Sequence, residues 1–320
     1  MRIGLLLPHF GPASTRERLF DLGSMLGDLG FDSAWVRDQL GFQGLTFEGR
    51  NAHFVDPFIT LAAIASRSTI RIGTATLTPI RGPVVTAQLV GSLAYLARGR
   101  LVLGIGLGGQ PRAFELAGRR WEDRAAHFRE MVDVLRITSS PGASYDGPFT
   151  RFTGLTLDPA PPADLPLWYC GTSPGAIRRA LDYADGWLPG RCPFVVFDPL
   201  LARLRADAAA AGRTMQIGIV PLLSPGRDRA DALERVNVQG LLSEARAKPG
   251  WDSYSTFEDV GDLRGSLIAG DPGDIVADLE AFRARGVDEV VLDLRQRMDV
   301  YEDALEMLAR EVLPAIRPPA

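Results

Sequence analysis

The chain has 320 residues, is 46% hydrophobic and 23% charged, and carries a formal net charge of −4. That is an ordinary globular composition, and it leaves no basic footprint for nucleic acid. No apolar run reaches the roughly 18 residues of a membrane span, and no charged leader precedes an apolar stretch at the start, so the expectation is a soluble cytoplasmic protein with no membrane partner.

In chain order, short apolar runs bounded by turn residues read as strands at Arg2–Leu7, Ser33–Val36, Ile70–Ala75, Leu101–Leu107, Leu167–Cys170, Gly186–Leu188, Met215–Leu222 and Glu289–Leu294. Helical spacing of apolar residues follows each of them. It covers Ser14–Leu29, Pro57–Ser66, Pro83–Arg98, Glu122–Thr138, Pro174–Ala184, Asp198–Ala211, Arg227–Ala247 and Pro272–Arg285, with a last helix at Val300–Leu313. Ser14 to Glu17 has the spacing of a capping box, and Gly30 is a stop signal. Asp271-Pro272 places an N-cap before a first-turn proline, and Gly286 ends that helix. Eight strands each followed by a helix predict an α/β fold, a (β/α)₈ TIM barrel spanning 1–320 as one domain. A doubly wound open sheet with an appended domain is the alternative, but no linker or shift in composition divides the chain. Two stretches, 139–165 and 248–270, break the alternation and read as insertions at the barrel rim. The first contains the turn-rich Tyr145-Asp146-Gly147-Pro148-Phe149 and reads as a small hairpin. The second, with Trp251, Tyr254 and Phe257, is the stronger candidate to cover a site.

Barrel active sites lie at the C-terminal ends of the strands. That rule selects His9 and Phe10 after the first strand, Asp38 and Gln39 after the second, and Ala75 and Thr76 after the third. It then selects Gly106, Leu107, Gly108 and Gly109 after the fourth, and Gly171, Thr172 and Ser173 after the fifth. Of the three histidines, His127 falls within a helix on an expected outer face and His53 within a loop, which leaves His9. Cys170 and Cys192 lack metal-ligand spacing and read as small semi-buried apolar residues. No Gly-x-Ser-x-Gly elbow supports a hydrolase, and the scattered histidines do not support zinc. Gly104 to Gly109 has the spacing G-x-G-x-G-G followed by Pro111, which does not fit a dinucleotide-binding loop. At Cys170-Gly171-Thr172-Ser173-Pro174, a strand end runs into a helix start, which suits phosphate. The alternative is that Thr172 or Ser173 only caps the helix.

Several segments together resemble the luciferase-like oxidoreductases, barrel enzymes that use reduced FMN or coenzyme F420. They are Gly4-Leu5-Leu6-Leu7-Pro8-His9-Phe10-Gly11-Pro12, Leu29-Gly30-Phe31-Asp32-Ser33-Ala34-Trp35-Val36, Ile72-Gly73-Thr74-Ala75-Thr76, Gly99 to Gly106, Ala184-Asp185-Gly186-Trp187, and Gly270-Asp271-Pro272 with Gly286-Val287-Asp288. The resemblance implies a flavin or deazaflavin ring over the strand ends and a non-prolyl cis peptide at Ala75-Thr76. It places Asp38 and Gly106 to Gly109 near the ring or its side chain, and Gly171, Thr172 and Ser173 at a phosphate. It also implies a homodimer, a small organic substrate and a separate flavin or F420 reductase as partner. Many such proteins carry Asp-His where this chain has Asp38-Gln39, and some carry a Glu near the position of Gly109. Gln39 cannot accept a proton at neutral pH, so an acid–base dyad is not expected, and His9 is the nearest titratable replacement. The activities then open are monooxygenation or hydride transfer that relies on the cofactor. A non-catalytic flavin-binding protein is the alternative. A phosphate-binding isomerase or aldolase is disfavoured because no lysine is expected at a strand end.

Overall fold

The computed structural model describes residues 1–42 and 52–317. Its twelve strands are β1 (Arg2–Leu6), β2 (Ser33–Val36), β3 (Arg71–Thr74), β4 (Leu101–Ile105), β5 (Ala143–Asp146), β6 (Arg151–Leu155), β7 (Leu167–Tyr169), β8 (Gly186–Trp187), β9 (Gln216–Ile219), β10 (Leu222–Pro225), β11 (Leu267–Gly270) and β12 (Glu289–Leu292). The α-helices are α1 (Arg16–Asp28), α2 (Pro57–Arg67), α3 (Pro83–Ala97), α4 (Pro111–Leu116), α5 (Arg124–Ile137), α6 (Ala176–Tyr183), α7 (Phe194–Ala210), α8 (Arg229–Glu234), α9 (Val238–Arg246), α10 (Pro272–Ala284), α11 (Tyr301–Met307) and α12 (Leu313–Ile316). Eight strands close into a parallel barrel in the order β1-β12-β9-β8-β7-β4-β3-β2. These eight are the strands expected from the sequence, with ends that agree to within three residues.

The barrel interior is filled by two indoles. Trp35 on β2 and Trp168 on β7 are 0% and 1% exposed, with ring centroids 5.8 Å apart. Glycines in neighbouring strands make that room: a Cβ on Gly73 would sit 2.5 Å from Trp35, and one on Gly218 would sit 2.6 Å from Trp168. At the N-terminal end, the buried Glu289 carboxylate closes the barrel. It accepts hydrogen bonds from Ser33 Oγ at 2.5 Å, Trp35 Nε1 at 3.0 Å, Arg2 Nε at 3.0 Å and Arg71 Nη1 at 2.7 Å. The opposite end of the barrel is thereby left for ligands.

Local chemistry moves several boundaries. Thr15, not Ser14, caps α1: its hydroxyl accepts from the Arg18 N–H at 3.1 Å, and the expected capping box is not formed. The single helix expected over 227–247 is two, α8 and α9, because Asp228 and Asn237 each cap their own start. Strand β9 ends at Ile219 because Pro221 cannot donate to a ladder. The chain resumes as β10, which pairs with β11 in a small parallel sheet that sequence periodicity missed. Asp271 and Asp274 do form a capping box at the start of α10. The C-terminal helix passes through a π-turn, Leu308–Val312, just before Pro314, whose ring nitrogen has no hydrogen to donate.

The insertion at 139–165 is a hairpin, β5 with β6, but it does not sit over the ligand end. Its turn is clamped to α5, where Glu130 accepts from the Phe149 and Thr150 N–H groups and the Thr150 hydroxyl. Phe149 covers His127 at 4.1 Å between ring centroids, so His127 is buried rather than on an outer face.

Candidate active site

A cavity of about 360 Å³ lies at the C-terminal ends of the barrel strands. Its floor includes Ala75 and Thr76 after β3, Leu107, Gly108 and Gly109 after β4, and Gly171, Thr172 and Ser173 after β7. The Ala75-Thr76 peptide is cis. Flanking backbone bonds hold it: Ala75 N–H donates to Val36 at 2.7 Å, and Leu77 N–H donates to Gly104 at 2.8 Å. Gly108 has φ +79°, a conformation that favours glycine and lets the chain turn at the cavity edge.

Asp38 is buried and lines neither this cavity nor the one adjoining it. Its carboxylate accepts from the Thr78 N–H and hydroxyl at 3.1 Å and pairs with Arg81 at 2.8 Å. It therefore fixes the segment that follows the cis peptide. Gly106 sits under the floor, where an added Cβ would come 2.9 Å from the Cys170 carbonyl oxygen.

The expectation that His9 supplies a titratable group fails on geometry. The ring is 0% exposed, Nδ1–H donates to the Val55 carbonyl at 2.8 Å, and Nε2 accepts the Arg37 N–H at 2.9 Å. Both nitrogens are occupied, and burial lowers the pKa to about 4, so the imidazole is neutral at pH 7. Gln39 also lies off the cavity, and its amide donates to Gln110 Oε1 at 2.5 Å.

The phosphate segment is rearranged relative to expectation. Helix α6 starts at Ala176 rather than Pro174, and Gly175, in a left-handed conformation, precedes it without a side-chain cap. The capping role considered for Thr172 or Ser173 is therefore not used. Instead Thr172 Oγ1 accepts from Trp251 Nε1 at 3.2 Å, which ties the second insertion to the cavity wall. Ser173 Oγ accepts from Arg179 Nη2 at 3.0 Å.

Four cations that the sequence reading did not select also line the cavity: Arg37, Arg191, Lys248 and Arg295. Three stand just past β2, β8 and β12, where the strand-end rule could have found them. Lys248 comes from the second insertion and is the chain's only lysine. Glu244, outside the cavity lining, pairs with Arg191 at 2.8 Å and with Lys248 at 3.4 Å. Desolvation pulls the Lys248 pKa down and Glu244 opposes it. No carboxylate or imidazole lines this cavity among the described residues. Cys170 does line it, but burial pushes its thiol up to about 12, so it stays protonated and is not a nucleophile. The arrangement presents positive charge and bare backbone, and no described carboxylate or imidazole is placed on it as a general base. No group of three metal-ligating side chains occurs among the described residues.

A family model described as luciferase-like monooxygenase matches residues 1–289. The chain belongs to the luciferase-like monooxygenase family. It is 25% identical to an F420-dependent glucose-6-phosphate dehydrogenase of Amycolatopsis mediterranei, over 97% of this chain and 96% of that one. It is likewise 25% identical to a 5,10-methylenetetrahydromethanopterin reductase of Archaeoglobus fulgidus, over 91% and 93%. Among solved structures, an F420-dependent secondary alcohol dehydrogenase superposes with a TM-score of 0.80 at 18% identity, covering 99% of both chains. The monooxygenase RslO1 from Streptomyces bottropensis gives 0.78 at 20% identity, over 99% of this chain and 100% of that one. Luciferase-like enzymes of this kind are oxidoreductases of F420 or FMN, and this chain is one of that class. No described helix is long and apolar enough to cross a membrane.

Proposed function

We propose that the protein binds coenzyme F420 in the strand-end cavity and catalyses hydride transfer between it and a small organic molecule. The observation that carries this is the joining of a glycine-rich floor, Leu107 to Gly109 with Gly171, to four cations above it. The floor residues fit a planar ring because Gly108 and Gly109 present no side chain beyond hydrogen. Arg191 and Lys248, held by Glu244, suit the phosphate and carboxylates of the coenzyme's tail. Two relatives that span nearly the whole chain are named for F420-dependent or methanopterin reduction chemistry, which favours the deazaflavin over FMN. The deazaflavin supplies two-electron hydride chemistry when bound. The chain's part is to position the ring on Ala75-Thr76, neutralise the tail and exclude water. Lacking a carboxylate or imidazole at the floor, it does not run a dyad of acid and base there.

Ile59 on α2 and Val85, Tyr95 and Leu96 on α3 are exposed apolar residues, at 67%, 54%, 71% and 44%. This apolar face suits a homodimer. A separate reductase renews the reduced cofactor. Cytoplasmic residence suits the two free cysteines.

Turnover separates this from a protein that only binds the cofactor. The protein is supplied with reduced F420 and a panel of activated carbonyl compounds, and the return of oxidised-coenzyme fluorescence is followed. A parallel arm follows oxygen uptake with reduced FMN. Fluorescence recovery with at least one carbonyl compound is expected. Oxygen uptake alone would replace hydride transfer by monooxygenation, and inactivity in both arms would leave a binding protein.

A further inference from the structure

A second cavity, of about 430 Å³, adjoins the first, and the two share Leu6 and Arg295. Its size is that of a small-molecule site. Leu7, Pro8, Phe10 and Met298 give it apolar walls. The segment after β12 supplies a polar wall of Asp293, Gln296 and Tyr301. Asp293 and Tyr301 are each 1% exposed.

That wall is incompletely satisfied. The Tyr301 hydroxyl, Gln296 Nε2 and Asp293 Oδ2 have no hydrogen-bond partner among the described residues. Oδ2 lies 2.5 Å from Arg295 Nη2 as an ion pair, but not in hydrogen-bonding alignment. The remaining atoms of these side chains are used: Asp293 Oδ1 accepts the Arg295 N–H at 3.1 Å, and Gln296 Oε1 accepts the Asn237 N–H at 2.9 Å. Buried polar atoms are nearly always paired, so the two unpartnered donors, Tyr301 and Gln296, on one wall of one cavity point to a partner that enters it. The charges here cancel. Asp293 pairs with Arg295, while Asp299 pairs with Arg297 at 3.2 Å and with Arg235 at 3.9 Å. The excess of cations lies in the neighbouring strand-end cavity instead.

We propose that this second cavity is the substrate pocket, and that its substrate is a neutral molecule with an apolar body and one carbonyl or hydroxyl group. The apolar walls take the body. Tyr301 and Gln296 donate to the carbonyl or hydroxyl oxygen. An anionic substrate, such as the sugar phosphate named for the Amycolatopsis relative, would meet only compensated charge here. The inference rests on the strand-end cavity being the cofactor site, because Leu6 and Arg295 border both and place one occupant beside the other.

The test uses the neutral naphthyl ketone prodan and the anionic anilinonaphthalene sulfonate, both followed by their emission. Prodan is expected to bind with a blue shift, and at least about tenfold more tightly than the sulfonate. Met298→Trp fills the cavity and should weaken prodan by about tenfold or more, and Tyr301→Phe by about threefold to tenfold. F420 affinity, measured on the same variants, should be unchanged and shows that they fold. Prodan affinity untouched by both variants, or sulfonate binding as tight as prodan, overturns the inference, as does absence of prodan binding in protein that binds F420. If prodan responds to Met298→Trp but F420 does not bind, the pocket is supported and the hydride-transfer reading falls.

Discussion

His9 joins the end of β1 to the neighbouring loop and to Arg37, through one donated and one accepted hydrogen bond. Its neutral form is built into the fold, with a pKa lowered from 6.5 to about 4, chiefly by burial. The unfolded chain therefore binds a proton between pH 6.5 and 4 that the folded chain does not. Stability contributed by this residue is full above pH 6.5 and is lost as pH falls towards 4, by up to about 3 kcal/mol. Denaturant unfolding at pH 7 and pH 5 should show this loss in the native protein and a smaller one in His9→Gln. Equal losses would mean that other groups carry the acid sensitivity. Gly171, with φ +143°, borders the cavity where a tail phosphate is proposed. Gly171→Asp adds both a side chain and a negative charge, and should weaken F420 by about tenfold or more. Unchanged affinity would remove that segment from the binding site. His9 illustrates what a sequence does not reveal: position after a strand was readable, but engagement of both ring nitrogens depends on Val55 and Arg37, which only the folded chain brings together.

The segment between β3 and α3 is the element on which the site is laid. Its register depends on a carboxylate from another strand end, since Asp38 holds Thr78 and pairs with Arg81, which also reaches Asp56 at 2.9 Å. Asp38→Ala leaves a partly buried guanidinium without one of its two carboxylates. It should cost about 3 kcal/mol in denaturant unfolding and also weaken F420, although Asp38 lines no cavity. A stability loss with intact affinity would show that the segment keeps its shape unaided. At this scale the sequence was most informative. All eight barrel strands were legible because strands buried on both faces are continuous apolar runs, and the cis peptide position followed from the family resemblance. What escaped were features decided by capping competition or distant pairing: the break between α8 and α9, the β10–β11 sheet, and the seating of the hairpin on α5 through Glu130.

The whole molecule separates two tasks along the barrel axis. One end is closed by Glu289 and its four donors, with Trp35 and Trp168 packed within, and the other carries two adjoining cavities, one cationic and one with balanced charge. The glycine-rich half of the strand-end cavity was visible in the sequence, because each segment follows its own strand. In the cationic half, Arg37, Arg191 and Arg295 were within reach of the strand-end rule, but Lys248 was not, because it lies in an insertion with no periodic pattern and meets Arg191 through Glu244 only in the folded chain. The central claim is that those cations and that floor together bind an anionic deazaflavin. The most direct measurement is a fluorescence titration of F420 into the native protein and into Lys248→Met and Arg191→Met, at low and moderate salt. The account predicts binding of about micromolar strength or tighter in the native protein, a loss of about tenfold in each variant, and a weaker salt dependence once either cation is removed. Native-strength binding in both variants, or no binding of F420 to the native protein, would contradict it.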